Sequence, residues 1–380
     1  MRIGIITGEY PPMQGGVGAY SQILAQHFAR TGHHVFIFSH ETAAEAEDTL
    51  TLTCTNSWGP GVLRQARRWA RQYDLDVINL QFETAAFGMS PWIHFIPNAL
   101  RKWPVVTTFH DLLPPYLFPK AGRVREWTVL RLARSSAAVI ATNHEDHARL
   151  AHLPRTALIP IGSNVTPELP PDFDVGVWRK KAGAEVGDFL LAHFGFVNRS
   201  KGIETLLRTL SILRADGFPA RLVMIGGRTG TSDPTNAAYN DEIDTLIRHL
   251  NLDDVIHWTG FVDDRHVSAY LTAADAVVLP FRDGASYRRG SLMAAIRHGC
   301  AIITTQPAVS VPAFRHGENM LLFPPGDIEA LTQCIRELAA GLYPGLGAGA
   351  AALSSQFDWN QIAADCVDLF EQVTRKQGRS

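Results

Sequence analysis

The chain has 380 residues, 46% of them hydrophobic and 19% charged, with a formal net charge of −2 at pH 7. That length exceeds what one hydrophobic core supports, so two domains are expected, and the near-neutral charge excludes a whole-molecule attraction to nucleic acid or anionic lipid. Cys54, Cys300, Cys334 and Cys366 are scattered without a CxxC pair, which indicates neither a zinc site nor a disulfide framework and reads as four reduced thiols.

The first apolar run, 3–7, is too short for a signal peptide and is followed at once by polar loop residues. No stretch reaches the length of a membrane span, so a cytoplasmic protein is expected, with surface association left open. Short runs rich in β-branched residues then alternate with amphipathic stretches. In the first half the strands are expected at 3–7, 35–38, 77–80, 105–109, 138–142 and 157–161. Between them lie helical patterns such as 20–29, where Ile23, Leu24, His27 and Phe28 share a face and Thr31-Gly32-His33 gives the stop. Three prolines in Thr166-Pro167-Glu168-Leu169-Pro170-Pro171-Asp172 mark a stiff linker. The alternation restarts at 189–194, 221–225, 255–258, 276–279 and 301–304. A last helix is expected at about 359–375, after the Gly/Ala-rich run 346–352. The pattern is α/β, two doubly wound Rossmann-like domains: 1–165 together with the final helix (about 359–380), and 166–358.

In open α/β sheets ligands bind beyond the carboxyl ends of the strands, where helix N-termini offer unpaired N–H groups to anions. Three such segments stand out. The first strand leads into a loop with Gly15-Gly16-Val17-Gly18, whose glycines admit close backbone approach. The strand 189–194 leads into Gly195-Phe196-Val197-Asn198-Arg199-Ser200-Lys201-Gly202, with two cations before a helix expected at 203–213. The strand 276–279 leads into Pro280-Phe281-Arg282-Asp283-Gly284-Ala285-Ser286-Tyr287-Arg288-Arg289-Gly290-Ser291 before a helix at 292–298. Fixed cations beside free amides suit a pyrophosphate. A dinucleotide fingerprint at Gly16-Val17-Gly18, with Glu41 as ribose acid, is the rival reading. It fits poorly, because a seven-residue loop separates the strand from the glycines.

His110, at the end of 105–109 with Asp111 beside it, is the remaining chemical candidate. His144 and His147 have an i, i+3 spacing that a metal could use, but they open a helix where acidic neighbours suit the dipole, so a structural role is preferred. The pairs Asp253-Asp254 and Asp263-Asp264 read as turn and capping residues. No Gly-x-Ser-x-Gly elbow occurs. The segment 116–134, with Arg123, Arg125, Trp127, Arg131 and Arg134, reads equally as a peripheral membrane contact and as a solvated surface helix.

These segments, in this order, resemble the retaining glycosyltransferases of family 4, which have the GT-B fold. The resemblance runs over nearly the whole chain. It includes Gly15-Gly16-Val17-Gly18, Thr31-Gly32-His33-His34-Val35, Phe109-His110-Asp111, Gly195 to Lys201-Gly202 and Met224-Ile225-Gly226-Gly227. It continues with Thr259-Gly260-Phe261-Val262, Ala274-Asp275-Ala276-Val277-Val278-Leu279-Pro280 and His298-Gly299. The resemblance implies two domains facing across a cleft, with the C-terminal helix crossing back to the first. It implies an acceptor (a sugar, a lipid-linked or a small molecule) at the first domain and a UDP- or GDP-type sugar donor at the second. No metal or cofactor is implied beyond the donor itself, and no nucleic-acid partner.

By the same resemblance Arg199 and Lys201 neutralise the diphosphate. The amides of Gly15, Gly16 and Gly18 lie near the β-phosphate, His110 contacts a sugar hydroxyl, and Phe261 and Val262 lie against the base. Asn198 and Gly227 complete the donor lining. Two departures follow. Ser286 and Ala294 stand where the family has paired glutamates, and Phe196 stands where it has arginine. Asp283 is then the carboxylate for the donor sugar, and Arg288, Arg289, Gly290 and Ser291 form a phosphate-binding run. Two rivals stand beside this reading, a non-catalytic nucleotide-sugar-binding protein of the same fold and a Rossmann oxidoreductase or epimerase.

Overall fold

The structure, a computed structural model, describes residues 1–13, 15–43, 50–112, 123–228 and 235–377. The chain divides into two compact units, one of Met1–Gly162 with Asp358–Ser380, the other Ser163–Phe357. Among the described residues no helix is long and apolar enough to cross a membrane.

The first unit is built on seven parallel strands: β1 Arg2–Thr7, β2 His34–His40, β3 Thr51–Thr55, β4 Val77–Phe82, β5 Val105–Phe109, β6 Ala138–Ala141 and β7 Thr156–Leu158. Their order is β3-β2-β1-β4-β5-β6-β7, so the winding reverses between β1 and β4. Strands buried on both faces are mostly apolar, and β1 and β4 are buried from their second and first residues on, with Asn79 and Gln81 of β4 as polar exceptions. Trp69 and Leu75 pack over β1, where a Cβ on Gly4 would stand 2.6 Å from each side chain; only glycine fits there. The terminal helix Trp359–Gln377 belongs to this unit. Its Phe370 packs edge-on to Phe28 of the helix Gly16–Arg30 with centroids 5.7 Å apart, and Trp359 lies 5.1 Å from Tyr20.

The second unit has six parallel strands: β8 Phe189–Phe194, β9 Ala220–Ile225, β10 Ile256–Trp258, β11 Ala276–Leu279, β12 Ile302–Thr305 and β13 Leu321–Phe323. The order is β10-β9-β8-β11-β12-β13, reversing between β8 and β11. Both units are Rossmann-like α/β sheets, and each reversal opens a crevice beyond the carboxyl ends of the two diverging strands.

Three local expectations change. The strand expected at 157–161 ends at Leu158, since Pro160 has no N–H to donate to a ladder. β3 and β13 were not expected at all. The Gly/Ala run 346–352 is itself the helix Leu346–Leu353. It packs so closely that a Cβ on Gly349 would stand 2.0 Å from the Glu318 carbonyl oxygen.

Candidate functional site

In the second unit the reversal point carries the two loops richest in cations. After β8 the chain turns through Gly195 (φ +125°), and a short 3-10 turn Arg199–Lys201 precedes the helix Ile203–Ala215. The hinge between turn and helix is Gly202, at φ +65°, where a Cβ would sit 2.0 Å from the Pro280 carbonyl oxygen. That approach locks the β8 loop onto the β11 loop, with Arg282 N–H donating to the Ser200 carbonyl at 3.0 Å.

The lock brings Lys201 to Ser291. The lysine Nζ donates to Ser291 Oγ at 2.9 Å, at the start of the helix Gly290–Arg297. Arg289 reaches the same place from the β11 side. Its side chain is 12% exposed, and Nη1 approaches Ser200 Oγ at 3.4 Å. Burial and the Arg289 charge push the Lys201 ammonium down to about 7, against a smaller opposing pull from Asp283. Two crowded cations at a helix start make a strong demand for an anion.

The expected site residues therefore separate. Lys201, Arg289 and Ser291 converge, with Gly290 opening the helix between them. Arg199 is engaged elsewhere: its guanidinium pairs with Glu242 and lies 5.0 Å from the Tyr239 ring centroid. Asp283 pairs with Arg289 and, at 2.8 Å, with Arg288. Asp283 is thus held by two guanidiniums, with its side chain 44% exposed. Asn198 Oδ1 accepts from Ser200 Oγ at 2.7 Å, which stiffens the turn.

A cavity of about 690 Å³ adjoins this cation pair within the same unit. Gly195 belongs to both: it lines the cavity, and a Cβ there would stand 3.4 Å from Lys201 Nζ. Gly227, Phe261 and Val262 are in the wall, together with Phe194, Phe196 and Val267. Phe261 is 66% exposed, an apolar ring offered to whatever enters. The pair Arg265–Glu168, at 2.5 Å, closes the polar side.

In the first unit the reversal between β1 and β4 carries the glycine loop. A Cβ on Gly15 would fall 1.7 Å from Glu9 Oε2, so the buried Glu9 carboxylate is packed against the backbone ahead of the helix Gly16–Arg30; at Gly16 no atom of the described residues lies within 4 Å of such a Cβ. Gln14 lies outside the described residues. Glu83, just after β4, is pushed up to about 8 by burial and then by the charges of Asp111 and Glu9. Neither Glu9 nor Glu83 was singled out from the sequence.

His110 is anchored at the end of β5. Its N–H donates to the Phe82 carbonyl at 3.0 Å, its ring meets Tyr20 edge-on at 4.8 Å, and Nε2 lies 2.9 Å from Gln81 Oε1. Burial holds the imidazole down at about 3, so it is neutral throughout the physiological range. Gln81, and not the adjacent Asp111, is the partner at Nε2. The signal was present in β4, where Asn79 and Gln81 put two amides into a strand buried on both faces. Of the segment 116–134, residues 116–122 lie outside the described residues. Trp127 is exposed, and Arg131 stacks 4.4 Å from the Phe95 ring centroid. His144 and His147 sit in a helix capped by Asn143, whose side chain accepts from Asp146 N–H, and among the described residues no group of three metal-ligating side chains is assembled.

Comparison with known proteins places these features in context. Residues 14–165 match the model "Glycosyltransferase Family 4", and residues 188–340 match "Glycosyl transferases group 1". The D-inositol 3-phosphate glycosyltransferase of Xylanimonas cellulosilytica is 27% identical over 96% of this chain and 93% of its own length. Among solved structures, the sucrose-phosphate synthase of Thermosynechococcus elongatus superposes with a TM-score of 0.75 at 22% identity, covering 98% of each chain. Anabaena HepE in complex with UDP-glucose gives 0.73 at 18% identity over the whole of both chains.

Proposed function

We propose that this chain, a GT4-like glycosyltransferase of GT-B fold, moves a sugar from a nucleoside-diphosphate donor to an acceptor hydroxyl with retention of anomeric configuration and without a metal. The observation that carries the reading is the Lys201–Arg289 pair beside a cavity whose wall includes Phe194, Phe196, Phe261 and Val262. Such a site offers positive charge for a diphosphate and apolar side chains for a base. HepE, with the same fold, is a complex with UDP-glucose, which supports a nucleotide-sugar donor here.

In this account the bond between the anomeric carbon and the diphosphate oxygen breaks while the acceptor oxygen bonds to that carbon from the same face. The acceptor's proton goes to the departing phosphate oxygen. Negative charge grows on the leaving diphosphate, and Lys201 and Arg289 are set to stabilise it before the reaction begins. No side-chain nucleophile and base pair is required. Asp283 acts by orienting Arg288 and Arg289 in place of a direct sugar contact. The Gly15, Gly16 and Gly18 amides and His110 serve the transferred sugar. The acceptor is a sugar, a lipid-linked or a small molecule, and exposed Trp127 and Arg134 offer a peripheral membrane contact to a lipid-linked one.

A panel of UDP- and GDP-sugars, scored for slow hydrolysis to free sugar, tests the reading. Turnover of at least one donor, lost in Lys201→Ala, is expected. Binding without any turnover would instead make the chain a nucleotide-sugar-binding protein, a reading that Ser286 and Ala294 at the expected glutamate positions favour.

A further inference from the structure

β4 presents Asn79 and Gln81 on one face, and register pairs them with Val106 and Thr108 of β5, two residues short of His110. All four paired residues are buried, so every polar atom in the row needs a partner. The row can be read from its fixed end. The Val106 carbonyl can only accept, and Asn79 Nδ2 donates to it at 3.1 Å and to Thr108 Oγ1 at 3.0 Å. That orients the Asn79 amide and leaves its Oδ1 to accept from Gln81 Nε2 at 2.5 Å. Gln81 is thereby oriented too, and its Oε1 is the atom turned to His110 Nε2 at 2.9 Å. A carbonyl oxygen accepts and does not donate, so Nε2 must carry the imidazole proton. His110 Nδ1 is left a bare acceptor, with no partner among the described residues, on a ring that is only partly buried.

We propose that Gln81, oriented by Asn79, is a positioning residue that fixes His110 as the Nε2–H tautomer and presents Nδ1 as a hydrogen-bond acceptor for a hydroxyl of the bound sugar. The assignment of a sugar to Nδ1 rests on the donor reading above; the tautomer does not. The relay starts from a main-chain carbonyl, so it sets the proton's location without any titrating group. It also accounts for two amides in a central strand that is buried on both faces. The neutral, low-affinity imidazole agrees with it, since a charged ring would donate from both nitrogens and offer the hydroxyl no acceptor.

The test is long-range 1H–15N correlation on the full chain labelled with 15N-histidine, from pH 4.5 to 9. The His110 signals are assigned by their loss in His110→Gln. A single neutral tautomer protonated at Nε2 is expected throughout. Asn79→Leu releases the Gln81 amide to turn its NH2 group to the ring, and the proton is expected to move to Nδ1. Gln81→Met removes the acceptor, and both tautomers are expected together. Wild-type protein with the proton on Nδ1 overturns the proposal without any variant, which matters if a variant fails to fold. So does a variant that folds and leaves the tautomer unchanged, the outcome of a merely structural role. Failure of UDP-glucose to bind would count against the donor reading alone, because the tautomer is measured in the free protein.

Discussion

Lys201 Nζ and the Arg289 guanidinium lie over one ring, 5.1 and 4.7 Å from the centroid of Phe281. Two like charges on one aromatic side chain share an attraction that either would have alone, and they repel each other across a small distance. Asp283, which pairs with Arg289, offsets part of that repulsion. Arg289, from the β11 loop, is the cation that shares this ring with Lys201, while Arg199 pairs with Glu242.

Proton uptake should accompany donor binding. Free Lys201 sits near 7, and an incoming diphosphate raises it. UDP affinity is thus fullest below pH 7 and falls as pH rises above it, until the bound lysine itself titrates. Calorimetry at pH 8 in buffers of different ionisation enthalpy should register uptake of part of one proton. Arg289→Ala removes the neighbouring charge, lifts Lys201 toward its ordinary value and should flatten this dependence, while weakening UDP about tenfold to hundredfold.

Glu83 makes the first unit less stable as pH rises. Its carboxyl is raised from 4.5 to about 8, so it folds most readily when protonated. The stabilisation is complete below about 4.5 and is lost progressively up to about 8. Glu83→Gln keeps the neutral shape and should resist denaturant better than wild type at pH 8.5, by on the order of 2 kcal/mol, with little difference near pH 4.5. Urea unfolding at the two pH values checks the sign. Equal stability of variant and wild type at both would contradict it.

The glycine loop gives a contrast between neighbours. Gly15→Ala drives a methyl into the Glu9 carboxylate, 1.7 Å from the ideal Cβ, whereas Gly16→Ala meets nothing within 4 Å among the described residues. The first should cost about 1–3 kcal/mol and displace the loop, and the second should stay within about 0.5 kcal/mol of wild type. Thermal melts of the two variants decide it.

Much of the fold was readable because parallel strands buried on both faces are continuous apolar runs. β5, β8 and β11 coincide with the runs expected at 105–109, 189–194 and 276–279. β3 was missed because Thr51-Leu52-Thr53-Cys54-Thr55 is an edge strand with exposed and half-buried residues, so no apolar run announces it. β13 has three residues, too few for any period. The site was less legible. Spacing found the cations of both loops, but only the lock of Gly202 onto Pro280 decides that Lys201 meets Arg289 while Arg199 goes to Glu242. The role of Gln81 depends on a relay across two strands, and no local pattern encodes which way an amide points.

Isothermal calorimetry of UDP and GDP against wild type, Lys201→Ala and Arg289→Ala tests the central claim most directly. One nucleoside diphosphate should bind wild type, its affinity falling in Arg289→Ala and vanishing in Lys201→Ala, with all three proteins melting normally when free. Absence of binding to wild type, or undiminished binding to Lys201→Ala, would contradict a diphosphate site at this pair.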